Sequence, residues 1–594
     1  MKSDDIVPLI IDGLDVTTDV EFVFETNRFG GKPSPKKAFA QGASTETCLR
    51  AVESCAKAFP SWKRTDADQK RKLFQQLKHL LEVRGDDVRE IIEEEINCSK
   101  LWSHINLQDS LGLIDEAAAL VTSDALSGTI PITRNHNAPA LVFKEPMGVI
   151  LGIAPWNAPL ILGFRAVVAP IAAGNTAILK GSELSPRVHY FIAQLFQDAG
   201  FPPGVLNFIM HRPQEASAAY ETMISHPAVR KCNFTGSTPV GRLIASRAAA
   251  SLKPVLLELG GKNFAIILDD ADLDKSARLT LEGAFLNNGQ ICMSTDTVLV
   301  SRSVFAAYRK KLIVLMKKAS SDISAVITTK SSERLRALIN DAIAKGADIT
   351  TGDDTDPSII PATIVDNMIP SMDFYHAESF GPMLGLQIFD SISEATKIIN
   401  DCPFGLSSAI FTRNHYRAMM IAKDLNVGAI HINGATVHDE PTIPHGGHGD
   451  SGWGRFGGSW GLDEFVHTKT IILNDYGGSA PVVRGTVVLD LHRMNKIIEV
   501  NHEYAYAVVE PGVSFFDLFE YIDKNDYNLW PSVPALGWGS VLGNVLERGF
   551  GYTPNGEHSQ QQCGMEIVLS NGEIVRTGMW AKKDCTMGPL FKGY

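Results

Sequence analysis

Residues 148–163, GVILGIAPWNAPLILG, decide the fold of this 594-residue chain. The first half is a short apolar run that ends at Pro155, and the second half turns apolar again after Pro159. This pattern predicts a buried strand that leads through a rigid turn into a helix. It does not predict a membrane span, because prolines, Asn157 and Arg165 interrupt the wider apolar region 148–174.

Further strands and helices alternate on the C-terminal side of this stretch. Short apolar runs at residues 177–180, 205–209, 231–234 and 255–258 predict strands. Ser185 and Pro186 start a helix that Gly200 ends. Such alternation predicts a parallel sheet covered on both faces, with ligands beyond the carboxyl ends of its strands. A second α/β unit is expected over residues 259–455.

Composition excludes several classes of protein. Hydrophobic residues make up 44% of the chain and charged residues 21%, which is typical of a globular protein. The net charge of −12 argues against nucleic-acid binding and against anionic membrane surfaces. The eight cysteines form no C-x-x-C pair, so no metal site is expected and a reducing compartment is favoured. The N-terminus has no signal-peptide pattern, and a cytoplasmic location is expected.

Three short motifs carry residues suited to catalysis. Cys292 lies in GQIC, where a helix N-terminus would lower the thiol pKa. Glu258 ends a predicted strand in ELGGK, a good position for a general base. Asn157 lies in PWNAP and offers an amide donor for an oxyanion. Taken singly, each has a structural alternative: an inert cysteine, an ion pair between Glu258 and Lys262, and a buried turn residue.

Taken together, these motifs resemble the aldehyde dehydrogenase superfamily over residues 1–474. PWN, K-x-x-E at 180–183, FTGS-x-x-VG, LELGGK and GQIC occur in the family order, followed by ESFGP, PFGLS and SGWGRFGG. Within the superfamily, the motifs look like those of the salicylaldehyde and vanillin dehydrogenase branch. The resemblance implies an α/β fold with a Rossmann-like NAD-binding domain (1–127 and 147–258), a catalytic α/β domain (259–459) and a β oligomerisation arm (128–146 and 460–474).

The resemblance also implies roles for individual residues. Cys292 would attack the aldehyde, Asn157 would hold the oxyanion, and Glu258 would activate the water that hydrolyses the thioester. Lys180 and Glu183 would bind the adenosine ribose, and Gly236 and Ser237 would face the pyrophosphate. The nicotinamide end would meet Glu378 and Phe380, while Trp156 and Leu259 would complete the cofactor cleft. A carboxylate near the ribose 2′-hydroxyl favours NAD over NADP. A small aldehyde is the expected substrate, and a homodimer or homotetramer the expected assembly.

Two positions depart from the family pattern before the SG-x-GR motif. The common P-F-G-G-x-K reads Pro444-His445-Gly446-Gly447-His448-Gly449. We expect His445 and His448 to be surface residues that the fold tolerates, rather than ligands.

Residues 476–594 differ in character from the rest of the chain. The motifs GWGSVLGN (537–544), ERG (547–549) and GYTP (551–554) resemble the vanillyl-alcohol oxidase and 4-cresol dehydrogenase family of flavoproteins. The resemblance implies part of an α+β FAD-binding domain of the PCMH type. The match lacks a substrate domain, so an independent oxidase is not expected and FAD binding is doubtful.

Three functions remain open from the sequence. The first is an NAD-dependent oxidation of an aromatic aldehyde to its acid. The second is a bifunctional FAD and NAD enzyme that converts an alcohol to an acid. The third is an inactive fusion product.

Overall fold

A computed structural model describes residues 6–17, 20–26, 38–134, 140–319, 323–352, 359–472, 490–533, 537–546, 558, 564–569 and 572–576. The chain divides into two compact units. The first comprises residues 1–128 and 143–469, and the second comprises residues 129–142 and 470–594. Among the described residues, no helix is both long enough and apolar enough to cross a membrane.

The helices and strands follow one another in this order. Up to residue 260 the strands are β1 (Ile6–Val7), β2 (Leu9–Ile11), β3 (Leu14–Val16), β4 (Val23–Thr26), β5 (Ala38–Gln41), β6 (Ala140–Pro146), β7 (Val149–Ile153), β8 (Thr176–Lys180), β9 (Leu206–Ile209), β10 (Val229–Thr235) and β11 (Val255–Glu258). The helices of this part are α1 (Thr45–Trp62), α2 (Ala67–Val83), α3 (Gly85–Ile96), α4 (Lys100–Leu120), α5 (Pro159–Ala172), α6 (Pro186–Asp198), α7 (Ala216–Ser225) and α8 (Thr238–Ala250).

The following part contains two further groups of elements. Its strands are β12 (Asn263–Ile267), β13 (Thr295–Ser301), β14 (Asp348–Thr351), β15 (Thr363–Asp366), β16 (Met383–Phe389), β17 (Phe404–Gly405), β18 (Ser407–Phe411), β19 (Ala429–Ile432), β20 (His448–Gly449), β21 (Gly452–Trp453) and β22 (Val466–Ile472). Its helices are α9 (Leu273–Phe285), α10 (Phe305–Ala319), α11 (Thr329–Ala344), α12 (Asp373–His376), α13 (Ile392–Asn400), α14 (His415–Lys423) and α15 (Gly458–Asp463). Beyond residue 490 lie β23 (Ile497–Asn501), β24 (Tyr506–Val509), α16 (Phe515–Lys524), α17 (Val541–Leu546), β25 (Glu566–Val568) and β26 (Ile574–Arg576).

An eight-stranded sheet holds the first half of the dehydrogenase-like region. Its strand order is β21-β11-β10-β7-β8-β9-β2-β3, and the strands from β11 to β9 are parallel. The predicted run at residues 149–153 is its central strand β7, every residue of which is buried. The chain then turns at Pro155 and enters α5 at Pro159, as the opening stretch predicts. The fold class expected from the sequence is confirmed.

A seven-stranded sheet forms the second half. Its order is β14-β15-β16-β13-β12-β18-β19, and only the edge pair β14–β15 is antiparallel. Glu258 is the last residue of β11 in the first sheet, and the Cys292 loop leads into β13 of the second sheet. Both belong to the first unit. The two-residue strand β21 returns from the second half and pairs with Leu257 and Glu258 of β11. This pairing brings residues beyond 430 next to the end of β11.

A two-stranded ribbon is formed by β6 and β22, within the segments expected to form the arm. Lys469 on β22 donates to the Glu145 carboxylate of β6 at 2.6 Å. The domain and arm boundaries stay predictions, and the structure places residues 458–463 in a helix.

The second unit contains two antiparallel hairpins, β23–β24 and β25–β26, and helix α16. Ser514 and Asp517 form a capping box at the start of α16. A small group of apolar side chains, Val513, Leu518 and Ile522, is buried beside this helix. The flavoprotein-like motifs at residues 547–549 and 551–554 lie outside the described residues.

Candidate active site

Cys292 lies in a tight loop between α9 and β13. Three consecutive residues before it, Asn287, Asn288 and Gly289, have φ angles of 51°, 55° and 71°. Asparagine and glycine adopt this left-handed conformation more readily than other residues. A Cβ at Gly289 would lie 2.2 Å from the Gly381 carbonyl oxygen, so glycine is required there. The chain therefore reverses its direction sharply at residues 287–289, just before Cys292.

Cys292 does not lie at a helix N-terminus, so that part of the sequence prediction is wrong. The residues around it form a turn that leads into β13. Burial first, and then the negative charge of Glu258, raise the pKa of the Cys292 thiol well above its ordinary value. The free protein consequently holds a neutral thiol. A base must take its proton before the sulfur can act as a nucleophile.

Glu258 is placed to be that base. It is the last residue of β11, and its side chain is only 1% exposed. Both of its carboxylate oxygens lack a hydrogen-bond partner among the described residues. Burial raises the pKa of this carboxyl, but His445, Arg165 and the Cys292 thiol lower it, and the net direction is downward. Glu258 is thus an ionised, partnerless carboxylate next to the Cys292 thiol.

Asn157 approaches the same loop from the turn before α5. Its Nδ2 donates to the Gln290 carbonyl at 3.0 Å, two residues before Cys292. Its own carbonyl accepts from Trp102 Nε1 at 2.8 Å and from Asn287 Nδ2 at 3.1 Å. The amide nitrogen carries a second hydrogen that these bonds do not use. The structure therefore brings all three predicted catalytic residues together.

His445 is buried, so its expected place on the surface is wrong. It is 6% exposed, and its Nε2 lies 3.6 Å from Glu258 Oε1. Its Nδ1 lies 3.6 Å from Asp439 Oδ1, and Asp439 is paired on its other oxygen with Arg165. His448, by contrast, is exposed as expected.

Sequence reasoning missed Arg165, Asp439 and His445 as members of the site. Two signals were available. Arg165 is a charged residue within an apolar helix, eight residues after Asn157, and His445 is a departure from the family motif. The approach of Asp439 to Arg165 spans 274 positions, which no local pattern reveals.

The residues predicted to bind the nicotinamide end lie close to one another in the structure. The ring centroids of Trp156 and Phe380 are 5.8 Å apart, edge to face. Glu378 Oε1 accepts from the Gly261 amide at 3.1 Å, and a Cβ at Gly260 would lie 2.4 Å from Glu378 Oε2. Burial and the negative charge of Asp296 raise the pKa of Glu378 to about 8. These contacts fix a carboxyl group close to the glycines that precede the Cys292 loop.

The predicted adenosine-binding residues occupy the carboxyl ends of strands in the first sheet. Lys180 Nζ lies 4.0 Å from Glu183 Oε2 at the end of β8, and the Glu183 side chain is 37% exposed. Gly236 and Ser237 lead from β10 into α8, and the Ser237 side chain makes no capping bond. The first amides of α8 have no side-chain cap, and a helix N-terminus of this kind favours an anion. This donor set fits a nicotinamide dinucleotide.

The described glycines of the second unit do not form a comparable cradle for a flavin. A Cβ at Gly537 would lie 2.9 Å from the Phe516 ring, so packing explains that glycine. The Gly543 amide donates to Ser540 Oγ at 2.8 Å. No step through a flavin follows from residues 537–546. Within the described parts of both units, no group of three His, Cys, Asp or Glu side chains could hold a metal ion.

Comparison with known proteins agrees with the division of the chain. Residues 33–471 match the model of the aldehyde dehydrogenase family, and residues 474–578 match a model described as an FAD binding domain. A vanillin dehydrogenase from Pseudomonas sp. strain HR199 is 39% identical over 477 residues, which cover 79% of this chain and 98% of the relative. A salicylaldehyde dehydrogenase from Pseudomonas sp. strain C18 is 36% identical over 449 residues, which cover 74% of this chain and 92% of the relative.

Solved structures show the same fold. The crystal structure of a salicylaldehyde dehydrogenase from Pseudomonas putida G7, complexed with salicylaldehyde, superposes with a TM-score of 0.77 at 33% identity. The match covers 80% of this chain and 99% of that one. The fold, the order of the motifs and the family match agree, and the chain belongs to the aldehyde dehydrogenase family, with a C-terminal segment that matches an FAD binding domain.

Proposed function

We propose that this protein oxidises an aromatic aldehyde to the carboxylic acid with NAD. The observation that carries the proposal is the ionised, partnerless Glu258 carboxylate beside the neutral Cys292 thiol. A buried thiol with an adjacent base suits covalent catalysis on a carbonyl carbon. The vanillin and salicylaldehyde dehydrogenases among the relatives support the aromatic substrate class.

The chain's own residues support a two-stage reaction. Glu258 accepts the thiol proton, and the Cys292 sulfur bonds to the aldehyde carbon to give a thiohemiacetal. The second Asn157 N–H and the Cys292 backbone N–H stabilise the oxyanion that forms. A bound nicotinamide supplies the acceptor for the hydride that leaves the carbonyl carbon, and a thioester on Cys292 results.

Hydrolysis of the thioester completes the cycle. Glu258 takes a proton from water, the water oxygen bonds to the acyl carbon, and the sulfur leaves with the electron pair of the C–S bond. The same carboxylate therefore serves both stages, which requires that it lose its proton between them.

Lys180 and Glu183 favour NAD over NADP in this proposal. The Glu183 carboxylate would accept from the ribose 2′-hydroxyl but would repel a 2′-phosphate. Glu378 would meet the ribose at the nicotinamide end, and the Trp156–Phe380 pair would border the ring. Gly236 and Ser237 would lie along the pyrophosphate, and Leu259 would line the cofactor cleft.

The test is reduced-cofactor formation with benzaldehyde, salicylaldehyde, vanillin and acetaldehyde, each with NAD and with NADP. We expect turnover of the aromatic aldehydes with NAD, and a lower kcat/KM for acetaldehyde. Glu183→Gln should lower the ratio of kcat/KM with NAD to kcat/KM with NADP by about tenfold, because it removes a negative charge that would repel the 2′-phosphate of NADP. Absence of turnover with every aldehyde and both cofactors would overturn the proposal.

The arm segments, residues 128–146 and 460–474, are proposed to join subunits into a homodimer or homotetramer. Strand addition at a sheet edge is a common way to extend such a ribbon across an interface. Light scattering of the purified protein measures the assembly, and a monomeric mass would contradict this part of the proposal.

A further inference from the structure

A row of four polar side chains runs from the interior of α5 to the catalytic base. Arg165 pairs with Asp439, Asp439 Oδ1 lies 3.6 Å from His445 Nδ1, and His445 Nε2 lies 3.6 Å from Glu258 Oε1. Every member except Asp439 has a side chain less than 9% exposed, and the Asp439 side chain is 14% exposed. The row thus connects the buried base to the edge of the site.

The backbone holds His445 rigidly in this row. Its N–H donates to the Phe456 carbonyl at 2.9 Å, and the Phe456 N–H donates back to the His445 carbonyl at 2.8 Å. Phe456 is itself 2% exposed, and the Arg165 guanidinium lies over its ring at 5.5 Å. The backbone pairing with Phe456 therefore fixes His445 at a place where its ring lies between the Glu258 and Asp439 carboxylates.

Charge balance indicates what the imidazole does there. Arg165 pairs with Asp439 and also acts electrostatically on Glu258, so the row holds two carboxylates and one fixed cation. A buried positive charge is costly unless it is paired, so a proton that arrives on His445 between the two carboxylates is placed favourably. His445 Nε2 is the polar atom that faces Glu258 and, like the carboxylate oxygens, lacks a hydrogen-bond partner in the described chain.

We propose that His445 is a positioning residue that acts through the general base: it faces the Glu258 carboxylate and receives the proton that Glu258 takes during thioester hydrolysis. The inference rests on the proposed function, because it assigns His445 to the hydrolysis stage of that reaction. His445 acts through Glu258 and does not itself meet the substrate.

The proton balance of this step is simple. Water gives one proton to Glu258 as its oxygen bonds to the acyl carbon, and the C–S electron pair returns to sulfur. The protonated Glu258 passes that proton to His445 Nε2 and regains its negative charge. Nδ1 of the resulting imidazolium donates to Asp439, whose charge Arg165 holds in place. No oxidation or reduction occurs in these transfers.

Other titratable groups near His445 are few. Glu258 faces it from β11 and Asp439 from the loop after β19, with Arg165 of α5 behind Asp439. His431 on β19 also interacts electrostatically with His445, and burial lowers the His431 pKa to about 4, so that it is neutral near pH 7. Cys292 is neutral in the free protein. Asp109 of α4 interacts electrostatically with Asp439 and Arg165, and burial and the charge of Asp439 raise the pKa of Asp109 to about 6.

The experiment uses p-nitrophenyl acetate, an ester that acylates a thiol without any nicotinamide. Wild-type protein should release a burst of nitrophenolate equal to the number of Cys292 thiols, followed by slower turnover limited by hydrolysis. His445→Gln should keep the burst amplitude and lose about tenfold to a hundredfold in the later rate. His445 is also among the groups that lower the pKa of Glu258, so the acid limb of the hydrolysis rate should move to higher pH in this variant.

His448→Gln is the matched control, because His448 is an exposed histidine three residues away whose ring contacts Arg455 rather than Glu258. It should leave the burst, the rate and the pH limb unchanged. If His445→Gln fails to fold, as judged by circular dichroism, His445→Asn is measured by the same criteria.

The outcomes separate the inference from the proposed function. A wild-type burst with an unchanged rate or an unmoved acid limb in the folded His445 variant would overturn the role of His445 alone. A wild-type protein with neither a burst nor aldehyde oxidation would overturn the proposed function as well.

Discussion

The two units of this chain differ in how their elements bury apolar surface. In the first unit, two sheets of eight and seven strands collect apolar side chains from distant parts of the sequence into large buried clusters. In the second unit, the described core consists of Val513, Leu518 and Ile522, while Trp530 and Trp538 are 76% and 65% exposed. The hairpins and the capped helix of the second unit are formed by residues that are close together in the sequence.

This difference shows that secondary structure and a catalytic site require different amounts of chain. A hairpin or a capped helix forms from a few neighbouring residues. The candidate active site, in contrast, needs residues 157, 258, 292 and 445 at one place, and only the interleaved sheets of the first unit supply that. We therefore expect all aldehyde chemistry to depend on the first unit.

Cys292→Ser should produce the largest effect. A serine hydroxyl is a far weaker nucleophile than a thiolate in a site that lacks a dedicated histidine base for it, so aldehyde oxidation should fall by ~10³-fold or more. NADH formation with salicylaldehyde measures this. If the variant keeps more than a small fraction of its activity, the oxidation does not proceed through Cys292, and a second site in the chain must be sought.

Glu258→Gln should have the next largest effect, because it removes the base that serves both stages. A neutral amide cannot take a proton from water, so steady-state turnover should fall by about 10²–10⁴-fold. Because the same carboxylate takes the thiol proton, mass spectrometry of enzyme quenched with substrate should show little acyl group on Cys292. Rapid turnover in this variant would mean that another group activates the water.

The strand and helix pattern of the first sheet follows closely from the sequence. The helix predicted between Ser185 and Gly200 is observed at Pro186–Asp198, and the run at 149–153 is a fully buried central strand. These predictions hold because proline, glycine and apolar periodicity act over a few residues. The motifs also pointed to Cys292, Glu258 and Asn157, which the structure brings close together.

The surroundings of the site did not follow from the sequence. The Cys292 loop leaves the helical path because Asn287, Asn288 and Gly289 adopt left-handed conformations, and Gly289 packs against Gly381. His445 is buried because β21 returns to pair with β11, which brings position 445 next to position 258. Both features depend on contacts between residues far apart in sequence, which composition and periodicity cannot predict.

The same core substitution made in each unit tests whether the stability of the dehydrogenase depends on one unit or on both. Leu195→Ala and Leu518→Ala remove the same side-chain atoms from positions that are 0% and 7% exposed. A Leu→Ala change in a packed core costs about 2–5 kcal/mol, so Leu195→Ala should lower the temperature at which dehydrogenase activity is lost. Leu518→Ala should leave that temperature unchanged. Equal losses would show that the second unit supports the first.

Removal of residues 476–594 should produce the smallest effect on catalysis. The truncated chain keeps every residue of the candidate site, both sheets and the β6–β22 ribbon, because β22 ends at Ile472. We expect kcat/KM for salicylaldehyde to stay within about twofold, well below the roughly tenfold change that 1.4 kcal/mol of altered binding would produce. Circular dichroism must show that the truncated protein is folded before its activity is compared. A folded truncation that has lost activity would mean that the FAD-domain-like segment contributes to the dehydrogenase, and the two units would then have to be regarded as one enzyme.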